Sequence, residues 1–148
     1  MLNQRQQREL VRQLRATEST AADLGSKVSS EFRSRATTAD GTQTTLHTFT
    51  VPAGTTYAIE AHVVARRTGG SSGTAEDGAY YVLRAVYKNV SGAATIIGSV
   101  GQTIVGEAQG GWDATLDTSG GTVRVRVTGA ANNNVVWFVR ATVTSVAT

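Results

Sequence analysis

Few of the 148 residues belong to types that carry chemistry. There is no cysteine, which excludes thiol nucleophiles, disulfides and thiolate metal sites. The two histidines, His47 and His62, fall in stretches that alternate like strands. Glu60 and His62 share one face at i, i+2. With His47 on an adjoining strand they would make a two-histidine, one-carboxylate set suited to zinc or nickel. Accidental pairs of this kind occur in any β protein, so these residues are expected to be ordinary surface. Nucleophilic catalysis needs a hydroxyl with a base in reach. Ser71, Ser72 and Ser91 lie in turn composition, outside any G-x-S-x-G context. Glu76-Asp77-Gly78 could offer oxygens to calcium but lacks the ligand spacing of a calcium loop.

Hydrolysis of a polysaccharide would need two carboxylates facing one groove. Glu60, Glu107, Asp113 and Asp117 are the strand-borne acids, and nothing in the pattern pairs them. The glycine pairs do not build a phosphate loop, because neither G-x-x-x-x-G-K-[ST] nor G-x-G-x-x-G occurs. Arg124 and Arg126 alternate on one strand, and Arg66, Arg67, Arg84 and Lys88 could extend them into a stripe for a polyanion or an acidic glycan. Salt-bridged surface is the expectation. Sugar binding would also need exposed aromatics. Tyr80, Trp112, Trp137 and Phe138 qualify only if they are not core, and both tryptophans fall on inward rows. The residues therefore predict no enzyme, no cofactor and no metal.

Charge is unevenly placed. The net charge is +3, and all of it sits in residues 1–36, where Arg5, Arg8, Arg12, Arg15, Lys27, Arg33 and Arg35 face Glu9, Glu18, Asp23 and Glu31. Residues 37–148 are balanced. A β domain that bound nucleic acid would look different, so no nucleic-acid partner is expected. No apolar run follows the opening MLNQRQQREL, and neither a signal peptide nor membrane insertion is expected.

Residues 4–34 read as helix, rich in Gln, Arg, Glu, Leu and Ala. Leu10, Leu14, Thr17, Ala21, Leu24 and Val28 follow the 4, 3, 4, 3, 4 rhythm of a coiled-coil seam. The seam lasts about three heptads, with Gly25 inside it. Such a helix is marginal alone and needs a partner. Three readings stand: oligomerisation or docking, packing on the chain's own core, or a basic arm on a membrane or nucleic acid. The first is preferred, and residues 1–36 are taken as this segment.

Residues 37–148 are expected to form a β domain. The boundary falls in RATTADGT, Arg35–Thr42, where helical periodicity gives way to alternation. Strands are predicted over 44–51, 57–66, 79–90, 95–100, 102–108, 112–116, 123–128 and 135–143. Inward rows include Trp112, Leu116, Val123, Val125, Val127, Trp137 and Val139. About eight short strands with short turns predict a mainly β fold, an N-terminal α-helix followed by an antiparallel, jelly-roll-like β-sandwich. Val64, Val82, Val86, Val136, Phe138 and Val146 fall on the opposite faces, so some strands are apolar on both sides. Either the helix covers them or subunits pack on one another. The loops 68–78, with Ser71, Ser72, Glu76 and Asp77, and 130–134, with Asn132, Asn133 and Asn134, are the candidate recognition loops.

The Trp112-Asp113-Ala114 strand, the Gly120-Gly121 turn, the VRVRVTG strand over 123–129 and the Trp137 strand resemble the C-terminal β domain of tailed-bacteriophage virion proteins. That group includes capsid decoration proteins, head fibres and tail-fibre tips. The resemblance covers roughly residues 40–146 and brings no catalytic residues. It implies a place in the virion, a homotrimer, and a preceding helix that attaches to the major capsid protein or a tail component. The function it implies is capsid decoration or a head fibre. The alternative is a tail-fibre tip that recognises host surface glycan. Taken as complete at 148 residues from Met1, the sequence departs from long tail fibres in lacking a shaft and a large attachment domain.

Overall fold

The computed structural model describes residues 1–24 and 27–148, with side chains for 1–14 and 29–148. Helix α1 spans Gln4–Leu24. Asn3 starts it: its Oδ1 accepts the Gln6 amide (2.9 Å), and the Gln6 side chain accepts the Asn3 amide in return (3.0 Å). This reciprocal pair satisfies two of the free N-terminal donors.

Eight strands follow: β1 (Lys27–Thr38), β2 (Thr44–Thr50), β3 (Thr55–Gly69), β4 (Gly78–Asn89), β5 (Ala94–Glu107), β6 (Asp113–Ser119), β7 (Thr122–Thr128) and β8 (Asn134–Ala147). They form two antiparallel sheets, ordered β1-β8-β3-β4-β5 and β2-β7-β6. The expected mainly β sandwich with one N-terminal helix is what the chain forms.

Two boundaries differ from the sequence reading. Residues 27–34, read as helix, and 35–38, read as boundary, are strand β1, paired along its length with β8. Val28 thus sits opposite Ser145 on a strand and is not a helical seam position. The reason is legible in SSEFRSRATT: Phe32, Ser34 and Ala36 alternate with Glu31, Arg33 and Arg35, a period of two that pairing with β8 rewards. The chain leaves the large sheet at residues 39–43. The second difference is at Gly101, which does not end a strand. Residues 94–107 are one strand, bulged opposite Tyr80/Tyr81 and Arg84/Val86. The strand total matches only because one is gained and two are merged. Thr17, Ala21 and Leu24 lie in α1 with side chains outside the described set, and Gly25 lies outside the described residues.

The core lies between the sheets. Across the large sheet its rows mix large with small: Ala36–Trp137–Ala65–Ala79, then Ser34–Val139–Val63–Tyr81, then Phe32–Ala141–Ala61–Leu83, then Val143–Ile59–Ala85. Trp137 is flanked by Ala36 and Ala65, and Phe32 and Leu83 stand beside Ala141 and Ala61, so the bulk of these side chains is offset by small neighbours in a close-packed interior. Val123, Val125 and Val127 are fully buried from the opposite sheet, and Trp112 and Leu116 lie beside them. The Trp112 ring meets Trp137 edge-on at 5.8 Å. Trp137 Nε1 donates to Thr38 Oγ1 (2.9 Å), while the buried Trp112 Nε1 has no partner among the described residues.

Polar side chains close the flanks. Gln102 of β5 donates to Asp113 Oδ1 (2.7 Å) and Ala114 O (2.6 Å) of β6. Buried Asn89 donates to Val51 O (2.6 Å) and accepts from the Gly92 amide (2.8 Å), tying the β4–β5 turn to the end of β2. The edge strand β5 exposes Ile97, Ile104 and Val105. Its bulges and the left-handed Gly98 (φ 82°) break the flat edge that would otherwise template pairing.

The two tryptophans should separate in a stability measurement. Trp137→Phe orphans the Thr38 hydroxyl, whereas Trp112→Phe removes a donor that was never satisfied. Urea unfolding is expected to show Trp137→Phe losing about 1–3 kcal/mol more than Trp112→Phe. Equal losses would show that the Thr38 bond contributes nothing.

Candidate binding surfaces

The sequence-predicted chemistry scatters. His47 is on β2 of the small sheet, wedged between Phe32 (5.4 Å) and Phe49 (4.5 Å), with Nδ1 hydrogen-bonded to Ser34 Oγ of β1 (2.5 Å). Glu60 and His62 are on the outer face of the large sheet. They do not converge with His47, and no group of three His, Asp or Glu gathers among the described residues. Glu60, Glu107, Asp113 and Asp117 also part company: Glu60 binds Arg84 (2.8 Å), Glu107 accepts from Tyr81 Oη (2.6 Å), Asp113 accepts from Gln102, and Asp117 binds Arg124.

The arginines that could have formed a basic stripe are divided. Arg124 and Arg126 lie on the outer face of the small sheet. Arg124 grips Asp117 with two bonds (2.7 and 2.9 Å), which raises its own pKa. Arg126 reaches Thr45 and Gln43. Arg67 folds back onto the carbonyls of Ser72 (2.8 Å) and Gly70 (2.6 Å), and Arg66 meets Glu76 (3.2 Å). These cations are engaged with the protein itself.

The two candidate recognition loops meet at one end of the sandwich. The Ser72 amide donates to Asn132 O (3.0 Å), and Thr68 Oγ1 donates to Asn134 O (3.3 Å). Gly70 makes the approach possible. Its φ is 100°, and a Cβ there would stand 2.2 Å from Asn132 O. Asp77 accepts from the Thr74 amide (2.8 Å) and Gln109 (2.5 Å), which lowers its pKa. Ser71, Ser72, Glu76, Asn132 and Asn134 remain at the surface. Asn133 does not: its side chain is buried beneath the turn, so it packs rather than recognises.

The outer face of the large sheet carries a hydrogen-bonded line across β3 and β4. Arg84 Nε donates to Glu60 Oε2 (2.8 Å), Glu60 Oε1 meets His62 Nε2 (2.8 Å), and His62 Nδ1 meets Tyr80 Oη (2.5 Å). Arg84 first, then His62, holds the Glu60 carboxyl below its usual range. Val82 is buried on this face, but Val64, Val86, Phe138 and Val146 are exposed. A shallow groove of about 590 Å³ runs beside the line between Glu60, Arg84, Val86, Ile97, Thr142 and Thr144. On α1, Leu10 (47%), Val11 (46%) and Leu14 (56%) are uncovered by the sandwich. No helix among the described residues is long and apolar enough to cross a membrane.

Sequence reasoning missed Arg35 and Arg33 as members of the sheet surface, because both were counted on the helix. The alternation of SSEFRSRATT was the available signal.

No protein-family model matches the chain, and no curated protein does. Among solved structures, it is similar to the tailspike protein gp49 of Acinetobacter baumannii bacteriophage Fri1, a capsular polysaccharide depolymerase. The identity is 14% and the TM-score 0.42, over 80% of this chain and 18% of that one. It is also similar to the tailspike protein of Acinetobacter baumannii phage AM24, at 10% identity and a TM-score of 0.45, over 81% of this chain and 26% of that one. The chain thus spans a quarter or less of the length of the first and about a quarter of the second.

His47 gives a pH test. Burial pushes its pKa below the ordinary 6.5, so the folded state holds fewer protons there than the unfolded chain. Its contribution is fully present above about pH 6.5 and is lost as pH falls through the lowered value. The urea midpoint should drop between pH 7 and pH 5, and His47→Leu should flatten that drop. An unchanged slope in the variant would assign the acid sensitivity elsewhere.

Proposed function

We propose that this chain is a structural protein of a tailed-phage particle, a capsid decoration or head-fibre protein. It assembles through α1 as a homotrimer and displays the sandwich as a knob. The observation that carries the reading is the uncovered apolar stripe of Leu10, Val11 and Leu14, beside a sandwich whose core, among the described residues, takes nothing from the helix. An amphipathic helix of 21 residues is marginal in water by itself, so burial of that stripe against copies of itself or a particle protein is what stabilises it. The resemblance of the 112–140 strands to virion β domains supplies the setting, and the trimer follows from what is common in that group. The anchor is shorter than residues 1–36, because residues 27–36 belong to β1. The major capsid protein or a tail component is the partner that fits such an anchor.

A second reading, a tail-fibre tip that recognises host surface glycan, is favoured by one observation. Loops 68–78 and 130–134 are joined into a single surface at one end of the sandwich.

Light scattering tests the assembly. The expected mass is three times the 15.5 kDa chain, falling to one chain in the Leu10→Glu/Leu14→Glu variant with tryptophan fluorescence unchanged. A monodisperse wild-type monomer at micromolar concentration sinks the trimer. Deleting residues 1–24 should leave a folded sandwich that no longer attaches to particles. Deleting 1–36 should unfold much of it by stripping most of β1 from β8, and equal behaviour of the two deletions would place the boundary wrongly.

A further inference from the structure

The outer face of the large sheet is chemically unlike the rest of the surface. Directly opposed residues of antiparallel strands point to the same side, so the register lays out this face row by row. One row runs Arg35–Phe138–Val64–Tyr80 across β1, β8, β3 and β4. The next runs Arg33–Arg140–His62–Val82. Phe138 is 42% exposed, so an aromatic ring lies open at the centre of the face. Arg35 and Arg140 flank it, both exposed and neither bonded to a carboxylate among the described residues. Arg33 and Arg140 stand directly opposite one another, and Arg33 is paired with Glu31 (2.8 Å), which leaves Arg140 beside Phe138 without an acidic partner among the described residues.

We propose that this face binds an acidic polysaccharide, with carboxylates of its sugars held by Arg35 and Arg140 and a ring stacked on Phe138. The chemistry favours a glycan over other occupants. A planar guanidinium matches a carboxylate with two parallel bonds. The groove beside the patch offers the Glu60 carboxylate and the hydroxyls of Thr142 and Thr144. These accept hydrogen bonds from sugar hydroxyls, donors that a phosphodiester backbone lacks. A second copy of the same face would bring arginine against arginine. The proposal rests on the glycan-recognition reading and moves its site from the end loops to the sheet. It is independent of how α1 assembles the chain.

The test uses the full-length protein and three polyuronates (alginate, polygalacturonate and hyaluronan), with neutral dextran and oligothymidylate as comparisons, by titration calorimetry. At least one polyuronate should bind more tightly than either comparison, and more weakly as salt rises. Arg35→Gln/Arg140→Gln should lose about tenfold or more in affinity, and Phe138→Ala should also weaken binding. The arginine variant should melt as wild type does, since neither Arg35 nor Arg140 is bonded to a carboxylate among the described residues. Arg5→Gln/Arg8→Gln removes the same charge from α1 and should bind as wild type. Equal loss from both arginine pairs would show general polyanion attraction and overturn the proposal. Loss confined to Ser71→Ala/Asn132→Gly would overturn the sheet site while keeping glycan recognition at the loops. Absence of any polyuronate binding would overturn both, and tighter binding of oligothymidylate would point to nucleic acid instead.

Discussion

The sandwich depends on the seating of Trp137. Its ring occupies the space left by Ala36 on one neighbouring strand and Ala65 on the other, and its indole N–H reaches Thr38 across 99 residues of sequence. The same ring meets Trp112, just ahead of β6 of the opposite sheet, and Tyr81 within its own sheet (6.4 Å). One side chain thus sets the register of three strands and the spacing of two sheets. A slip of one residue in β8 would turn Trp137 outward and Phe138 inward, exchanging every side chain of that strand between core and surface. The outer face therefore takes its character from an interaction on the inner one.

The two outer faces then diverge, although residues 37–148 balance their charges. On the small sheet, Asp117 lies between Arg124 and Arg126 and offsets one of their two charges. On β1, β8, β3 and β4 the outward positions hold Arg33, Arg35, Arg140, Arg66, Arg84 and Lys88 against Glu31 and Glu60. Two of those arginines come from the segment that carries the net positive charge in the sequence. Strand β1 delivers that charge to the sheet. Distribution, not the total, decides what such a surface attracts.

Much of this was legible in alternation. The inward rows of β3, β4, β7 and β8 follow from period-two patterns alone, and so does the outward position of Phe138. Strand β1 was harder. Its arginines, glutamate and alanine favour helix locally, it follows a real helix without a proline break, and only pairing with β8 overrides that preference. The error carried forward: with Arg33 and Arg35 on a helix, no reading could gather them with Arg140 and Phe138. Asn133 shows a different limit. Three consecutive asparagines look alike in sequence, and only the contact between distant loops decides that the middle one is buried.

The position of β8 has a consequence for how the chain is made. It lies between β1 and β3 in the large sheet, yet the ribosome delivers it after the other seven strands. During synthesis β1 has no neighbour in its sheet, and β3 shows one bare edge, until residues 134–147 have left the exit tunnel. Closure must wait for that last insertion, and contacts between such distant segments form slowly. A chain cut short before β8 keeps apolar strands without the one that joins them, so incomplete products would be sticky and short-lived rather than inactive copies.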